Sequence, residues 1–467
     1  MWHIAKRELY DNLQRLRFAL ATALLLGLML INAAVHLREH PVRLQKYHTS
    51  VRNAQDILRN QTDLYDIAQK GPGNLYKKPS ALRFCADGGE SFLSNLVDGG
   101  FERRSINELK SFWILAYPSV TPNLKDISPD VTRVDWVFVI GYVLSLIALL
   151  FTFDSISHER DQGTLRLMLA NPVPRHTVLI GKFLGALISI IIPFTLAVLI
   201  NLLIISTAQT VHLNAEEWGR LGIIFFVALL YICLFLALGL LVSTRAQRGS
   251  VSLVILLLTW VSFVVFMPHT LASITRGFSS PMTSNELWER QNQLHEELLQ
   301  QHWSQPLSTP RLPSERMQSR GEYIIKDSEQ QEELRQAHLT QQIAQVERAG
   351  AITRISPAAI LQHLVESLAG TGFRRHLQFI ENAQRYAREY REFVHDSDRA
   401  DPDSLHIVGV REGMSQKPVD PQAIPTFEDR LSFSKDFNTA AMELMLLMLF
   451  VVVLLSGVYL AFVHVEV

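Results

Sequence analysis

Six apolar runs, each long enough to cross a bilayer, constrain this chain more than any other feature. They lie at Phe18–Leu37, Val134–Phe153, Phe183–Ala208, Leu221–Ser243, Ser250–Pro268 and Thr439–Val463. A hydrocarbon core of about 30 Å is crossed by a helix of roughly 17–25 residues, and every run meets that length. None places a Lys or Arg at its centre, where insertion of a charge costs about 2.5–3.5 kcal/mol. Composition agrees: 48% of the 467 residues are hydrophobic and 19% charged, against about 25% charged in soluble domains. The fold class expected is an all-α polytopic membrane protein, with six transmembrane helices and a mainly helical extracytoplasmic domain with minor β.

Charge sets the orientation. Lys6, Arg7, Arg15 and Arg17 precede the first span; Arg160, Arg166, Arg175 and Lys182 lie between spans two and three; Arg245 and Arg248 lie between spans four and five. All ten fall on one side if the spans alternate, whereas the short loop Gln209–Arg220 on the other side offers Arg220 alone. The positive-inside rule then makes both termini and residues 154–182 cytoplasmic, and residues 38–133 and 269–438 extracytoplasmic. A net charge of −1 gives no sign of a nucleic-acid partner. Cys85 and Cys233 fall in unlike regions and suggest no disulfide framework.

The first span is too long for the apolar core of a signal peptide, and "INAAVHL" lacks an A-x-A cleavage site, so it is expected to remain as a helix. Before it, in residues 1–17, Trp2, Ala5, Leu9, Leu13 and Leu16 recur at steps of three and four, with basic residues elsewhere. That spacing predicts an amphipathic helix lying in the membrane interface. Beyond the span, Leu44, Tyr47, Val51, Ala54, Leu58, Gln61, Tyr65 and Ala68 form a heptad seam. It breaks at "KGPGNLYKKPSALRFCADGG", where one short strand is expected around Leu82–Cys85. The second outer segment reads as helices parted by a Pro-rich break, "SQPLSTPRLPSE", and closed by the linker "DPDSLHIVGVREGMSQKPVDPQAIP". Ser356-Pro357 has the composition of a helix cap and first helical position.

Residues for catalysis are missing. "LIGKFLG" holds Gly181-Lys182, but His176 stands where a phosphate-binding loop needs its first glycine. His295 opens "HEEL" without the second histidine of a zinc motif, and "SFSK" (Ser432–Lys435) lacks the partner motifs that would make it a nucleophile. No metal-ligand spacing is present, so no catalytic or metal-binding residue is assigned. Asn32, Asn201 and Glu443 are the polar intramembrane candidates for a substrate path, with Pro193 as a candidate kink; the competing reading of each asparagine is a hydrogen bond between helices.

Residues 154–182 carry the most specific pattern. Asp154 closes span two. Glu159, Arg160, Gly163 and Thr164 lead into Leu165, Met168 and Leu169 on one helical face, before Pro172 and Pro174 break the helix and Arg175 through Lys182 open span three. The stretch "ERDQGTLRLMLANPVPRHTVLIGKFLGA" resembles the signature of type-2 (type V) ABC exporter permeases: Glu159, Arg160, Gly163, Thr164 and Leu165, then Pro172 with Arg175, then Gly181-Lys182. The large segments after spans one and five, and "ISPAAILQHLVESLAGTGF" (Ile355–Phe373), are similar to a subgroup described as multicopper-enzyme-maturation permeases. No copper-ligand cluster is present, and copper is not carried over.

The resemblance implies that Asp154, Glu159, Arg160, Gly163, Thr164, Leu165, Met168, Pro172, Arg175, Gly181 and Lys182 form a coupling helix and its flanks, seated in a groove of a separate ATPase. It implies two ATPase chains holding ATP and Mg, no cofactor on this chain, a second permease (a copy or a relative), and a bacterial inner membrane. Export is the leading expectation. The rival is ATP-driven mechanical transmission to a periplasmic partner without transport, motivated by the heptad seam; a third is an ATP-independent anchor or receptor.

Overall fold

The computed structural model describes residues 2–89, 93–101, 112–117, 134–164, 174–208, 211, 213–268, 270, 282–303, 313–431 and 433–464. Inside a bilayer no water can satisfy a peptide group, so spanning segments close their own hydrogen bonds as helices. Among the described residues six helices are long and apolar enough to cross.

Helix α1 (Trp2–Leu13) stops at Arg15, whose extended backbone separates it from α2 (Leu16–Arg59). Helix α2 contains the first span and does not end with it. Its 44 residues at 1.5 Å each make a rod of about 66 Å, so the seam from Leu44 to Leu58 is the same helix leaving the membrane. The seam does not continue as one helix: Gln61 falls in the break after Arg59, and Tyr65 and Ala68 lie on the separate short helix Leu64–Lys70. Leu58 is buried, and Val51 and Ala54 face Leu75, Tyr76 and Phe427.

Span two, α4, begins at Trp136, passes through a π-helical stretch at Val139–Leu144 and continues as Ser145–Thr152. After a turn comes α5 (Ser157–Asp161), then α6 (Arg175–Thr207) and α7 (Ala215–Arg245). Asn214 and Glu217 cap α7 reciprocally, so its first turn takes in the end of the Gln209–Arg220 loop. Span five, α8, runs Gly249–Trp260 and then turns π-helical at Val261–Phe266. The remaining chain enclosing each apolar window buries 72% of span two but 17% of span five. Span two is therefore the centre of the bundle, and span five presents most of its surface outward.

Beyond the spans lies a helical head. It contains α3 (Leu64–Lys70), a three-stranded antiparallel sheet of β1 (Gly73–Tyr76), β2 (Leu96–Phe101) and β3 (Ile114–Ala116), and helices α9 (Ser284–Trp303), α10 (Pro313–Thr353), α11 (Pro357–Ala369) and α12 (Gly372–Arg399). Phe379, Ala383, Tyr386 and Tyr390 of α12 fall at steps of four and three and bury one face against α3 and the sheet. The chain returns to the membrane through α13 (Phe433–Val463), the sixth span. Ser356 caps α11 and Pro357 takes its first position, as the sequence predicts.

The strand expected at Leu82–Cys85 is absent. Those residues form a turn closed by Cys85 N–H on the Leu82 carbonyl. The carbonyls of Phe84 and Cys85 accept from Trp136 and Val137. The segment thus satisfies donors that span two leaves open at its first turn, which a strand partner would have claimed. The Pro-rich break is also shorter than the sequence suggests, because α10 starts at Pro313.

Candidate functional site

The end of span two is gripped from three sides. Arg17, at the α1–α2 corner, donates to Asp154 Oδ2 at 3.1 Å and to the Leu150 carbonyl at 3.3 Å, and its guanidinium lies over the Phe153 ring. Arg15 approaches the same carboxylate at 3.7 Å. From α7, the Ser243 hydroxyl accepts from Ile156 N–H at 3.0 Å and Ser157 N–H at 3.1 Å. These are the donors that the first turn of α5 leaves unsatisfied. Beneath them Ile156, Val178, Leu240 and Phe462 make a buried apolar floor.

Arg160 reaches across to the end of α7, donating to the Thr244 carbonyl at 2.8 Å and the Ala246 carbonyl at 3.1 Å. A cation there sits at the negative end of the helix dipole, a favourable placement. Glu159, its neighbour, turns the other way and accepts from Lys182 Nζ at 2.8 Å. The same ammonium donates to Glu8 of α1 at 2.5 Å. The Lys182 side chain is 2% exposed, and its two acids are 22% and 24% exposed. One buried cation therefore ties α1, α5 and α6 together.

Gly163 ends α5 with φ +73°, in the left-handed region. A side chain there is strained even though the space is open. Thr164 folds back and donates its hydroxyl to the Glu159 carbonyl at 3.2 Å. Arg175 donates to the Val463 carbonyl at 2.7 Å, at the end of the sixth span. Gly181 is buried in α6 one position before Lys182. Leu165, Met168 and Pro172 lie outside the described residues.

The four candidates for a substrate path are not gathered in one place. Asn201 Nδ2 donates to Asn32 Oδ1 at 2.9 Å and to the Met29 carbonyl at 2.7 Å. Asn32 Nδ2 in turn donates to the carbonyls of Val134 (2.8 Å) and Phe84 (3.0 Å). Both asparagines are buried, stitching spans one and three to the start of span two. Pro193 is buried two turns below Asn201 in α6. Glu443 pairs with Arg354 of the head at 2.7 Å. Among the described residues no three His, Cys, Asp or Glu side chains converge as metal ligands.

Glu8, Arg17 and Ser243 are contributors that the sequence reading missed. Glu8 had a signal: Ala5, Glu8 and Asn12 share one face of α1 at i, i+3 and i+7, and that face packs on α6. Asn12 donates to Ser189 at 3.2 Å, and a methyl on Gly185 would stand 2.6 Å from Glu8 Cβ.

A family model for ABC-2 family transporter proteins matches residues 2–462. The chain belongs to that family. It is thus an ABC-2 permease, a multi-pass membrane protein. Two proteins named "Probable ABC transporter permease protein NosY" are similar to it. The one from Pseudomonas aeruginosa is 33% identical over 147 residues, 30% of this chain and 52% of that protein. The one from Stutzerimonas stutzeri is 29% identical over 137 residues, 28% of this chain and 48% of that protein. The chain spans about half the length of the curated relatives it matches. Membership of this family implies an ABC ATPase partner.

Proposed function

We propose that this chain is the membrane subunit of an ABC exporter and receives mechanical work from a separate ATPase at Asp154–Lys182. Two ATPase chains carry ATP and Mg, and two permeases, identical or related, form the path in the bacterial inner membrane with both termini cytoplasmic. The observation that carries the reading is the Glu8–Lys182–Glu159 bridge beside the Arg160 clamp on α7. A push on α5 is delivered at once to α1, α6 and α7, because a charge pair this enclosed holds its geometry far better than an exposed one. The test is reconstitution with the cognate ATPase in nanodiscs. Coupled ATPase activity should fall at least tenfold in Glu159→Ala with assembly retained; unchanged coupling would sink the reading.

A second reading has its own observation. Helix α2 is continuous from Leu16, beside the Asp154 grip, to Leu58 in the head. A rod of this kind transmits displacement to the head whether or not cargo moves, and serves mechanical action on a periplasmic partner. Cargo flux into sealed vesicles, dependent on ATP, decides for export over transmission.

A further inference from the structure

The head meets spans five and six at a short elbow between α10 and α11. Arg354, just past the end of α10, directs Nη2 (2.7 Å) and Nε (3.1 Å) to Glu443 Oε1 on the sixth span. Two residues on, the buried Ser356 donates its hydroxyl to the Phe263 carbonyl at 2.8 Å.

That carbonyl is open for a reason written in the backbone. Phe263 lies in the π-helical stretch of span five, where Met267 N–H, the usual α-helical donor to it, bonds Ser262 O instead. The π-helical donor five residues on would be residue 268, a proline with no N–H. Both ladder partners are lost, and a carbonyl left without a donor within an apolar span is costly. Ser356 supplies the missing donor from the head.

The π-helical stretch of span two faces the same region. Trp260 Nε1, at the edge of the span-five stretch, donates to Ser145 Oγ at 2.8 Å. Ser145 donates to the Gly141 carbonyl at 2.6 Å, which also accepts from Tyr231 of α7 at 3.1 Å. Leu361 of α11 packs over Gly141, its Cδ2 at 3.5 Å from where a Cβ would stand. One set of polar contacts thus joins α7 to both irregular stretches through Tyr231, Ser145 and Trp260, and a second joins the span-five stretch and α13 to the elbow through Ser356 and Arg354.

We infer that the Arg354–Ser356 elbow is a clasp that fixes the α9–α10 arm of the head to spans five and six, with the two π-helical stretches as the places where the spans yield. Helix α10 has 41 residues, an arm of about 62 Å at 1.5 Å per residue. It packs on the head along its length, Gly321 against Gly409 and Glu332 against Arg391, so a tilt at its base is carried into the head and reaches the start of α10. The clasp stands on these contacts alone; that nucleotide drives it rests on the ATPase reading above.

The experiment is a spin-label distance measurement on the full chain in nanodiscs. Labels go on Ser314→Cys at the far end of the arm and Ala215→Cys at the start of α7, in a Cys85→Ala, Cys233→Ala background. Without any ATPase, Arg354→Met with Ser356→Ala should broaden the distance distribution at least twofold, and Ser356→Thr, which keeps a hydroxyl, should leave it narrow. Equal widths in the double variant and the parent would overturn the clasp. If Ser356→Thr broadens as much as Ser356→Ala, the hydroxyl is irrelevant and the clasp is overturned as well. With the ATPase bound, ATP should shift the distance in the parent and shift it at most half as far in the double variant. Failure of the ATPase to co-purify would refute the functional reading while the first arm still judges the clasp.

Discussion

Lys182 Nζ lies 2.8 Å from Glu159 and 2.5 Å from Glu8, so two residues of the loop motif are partners of each other and of the N-terminal helix. The contact joins positions 23 and 174 apart in sequence. It converts a polar interruption between two spans into a fixed joint.

Replacing Lys182 with Met should leave two carboxylates facing each other without a cation. A loss of about 3 kcal/mol is expected, the scale for removing one partner of an enclosed pair. Thermal unfolding in detergent measures it, and Lys182→Arg should recover part of the loss. Equal melting temperatures for Lys182→Met and the parent would show that the pair holds nothing.

Gly163 should tolerate Asn better than Ala. Both add a Cβ into open space, but Asn adopts the left-handed region at lower cost, and the strain for Ala is about 1–2 kcal/mol. The readout is ATPase stimulation in the reconstituted complex, where Gly163→Ala should lose more than Gly163→Asn. The reverse order would contradict the role of the φ +73° backbone.

Gly185→Val should dislodge α1 without unfolding the bundle, since the added Cβ meets Glu8 and the Ala5 carbonyl. Hydrogen exchange of residues 2–13 should quicken several-fold while α7 stays protected. Unchanged protection in α1 would mean that the close approach is not maintained.

Asn201→Leu removes both donors that reach Asn32 and Met29. If the asparagine pair is helix-to-helix glue, stability should drop by about 1 kcal/mol, the usual worth of such intramembrane bonds, and flux per folded molecule should hold. A selective loss of flux at unchanged stability would restore the pair to a substrate path.

Glu366 of α11, outside the six spans, has its carboxyl pushed up to about 7 by burial, with Asp135 and Asp87 adding to the rise. The folded state then holds a proton that the unfolded chain gives up near the usual 4.5. Stability from this group is full below pH 4.5, falls as pH rises through 7 and is flat beyond. Glu366→Gln should flatten the melting profile between pH 4.5 and 7; an unchanged slope would assign the dependence elsewhere.

Much of the fold was legible because membrane insertion is a local sum: about twenty apolar residues carry the same transfer free energy wherever they later pack. The cap at Ser356 was legible for a similar reason, since a hydroxyl and the N–H it serves are neighbours in sequence. The Leu82–Cys85 strand failed on the opposite ground. Its apolar residues did need burial, but their carbonyls were claimed by Trp136 and Val137, about fifty positions away. In the candidate site, Glu159, Arg160, Gly163 and Lys182 stand out in the sequence, while Arg17 and Ser243 do not, because nothing near them in the chain marks what they bind.

The sequence by itself determined that this chain spans a membrane six times, which side of each span is basic, and which loop carries the motif. Those are properties of composition and of residues within a few turns of each other. The tertiary structure decided which charges meet, that α2 runs unbroken into the head, and that the Phe263 carbonyl is answered by Ser356. The physical reason is that a hydrogen bond or ion pair depends on ångström-scale approach between distant segments, and hydropathy is blind to that distance.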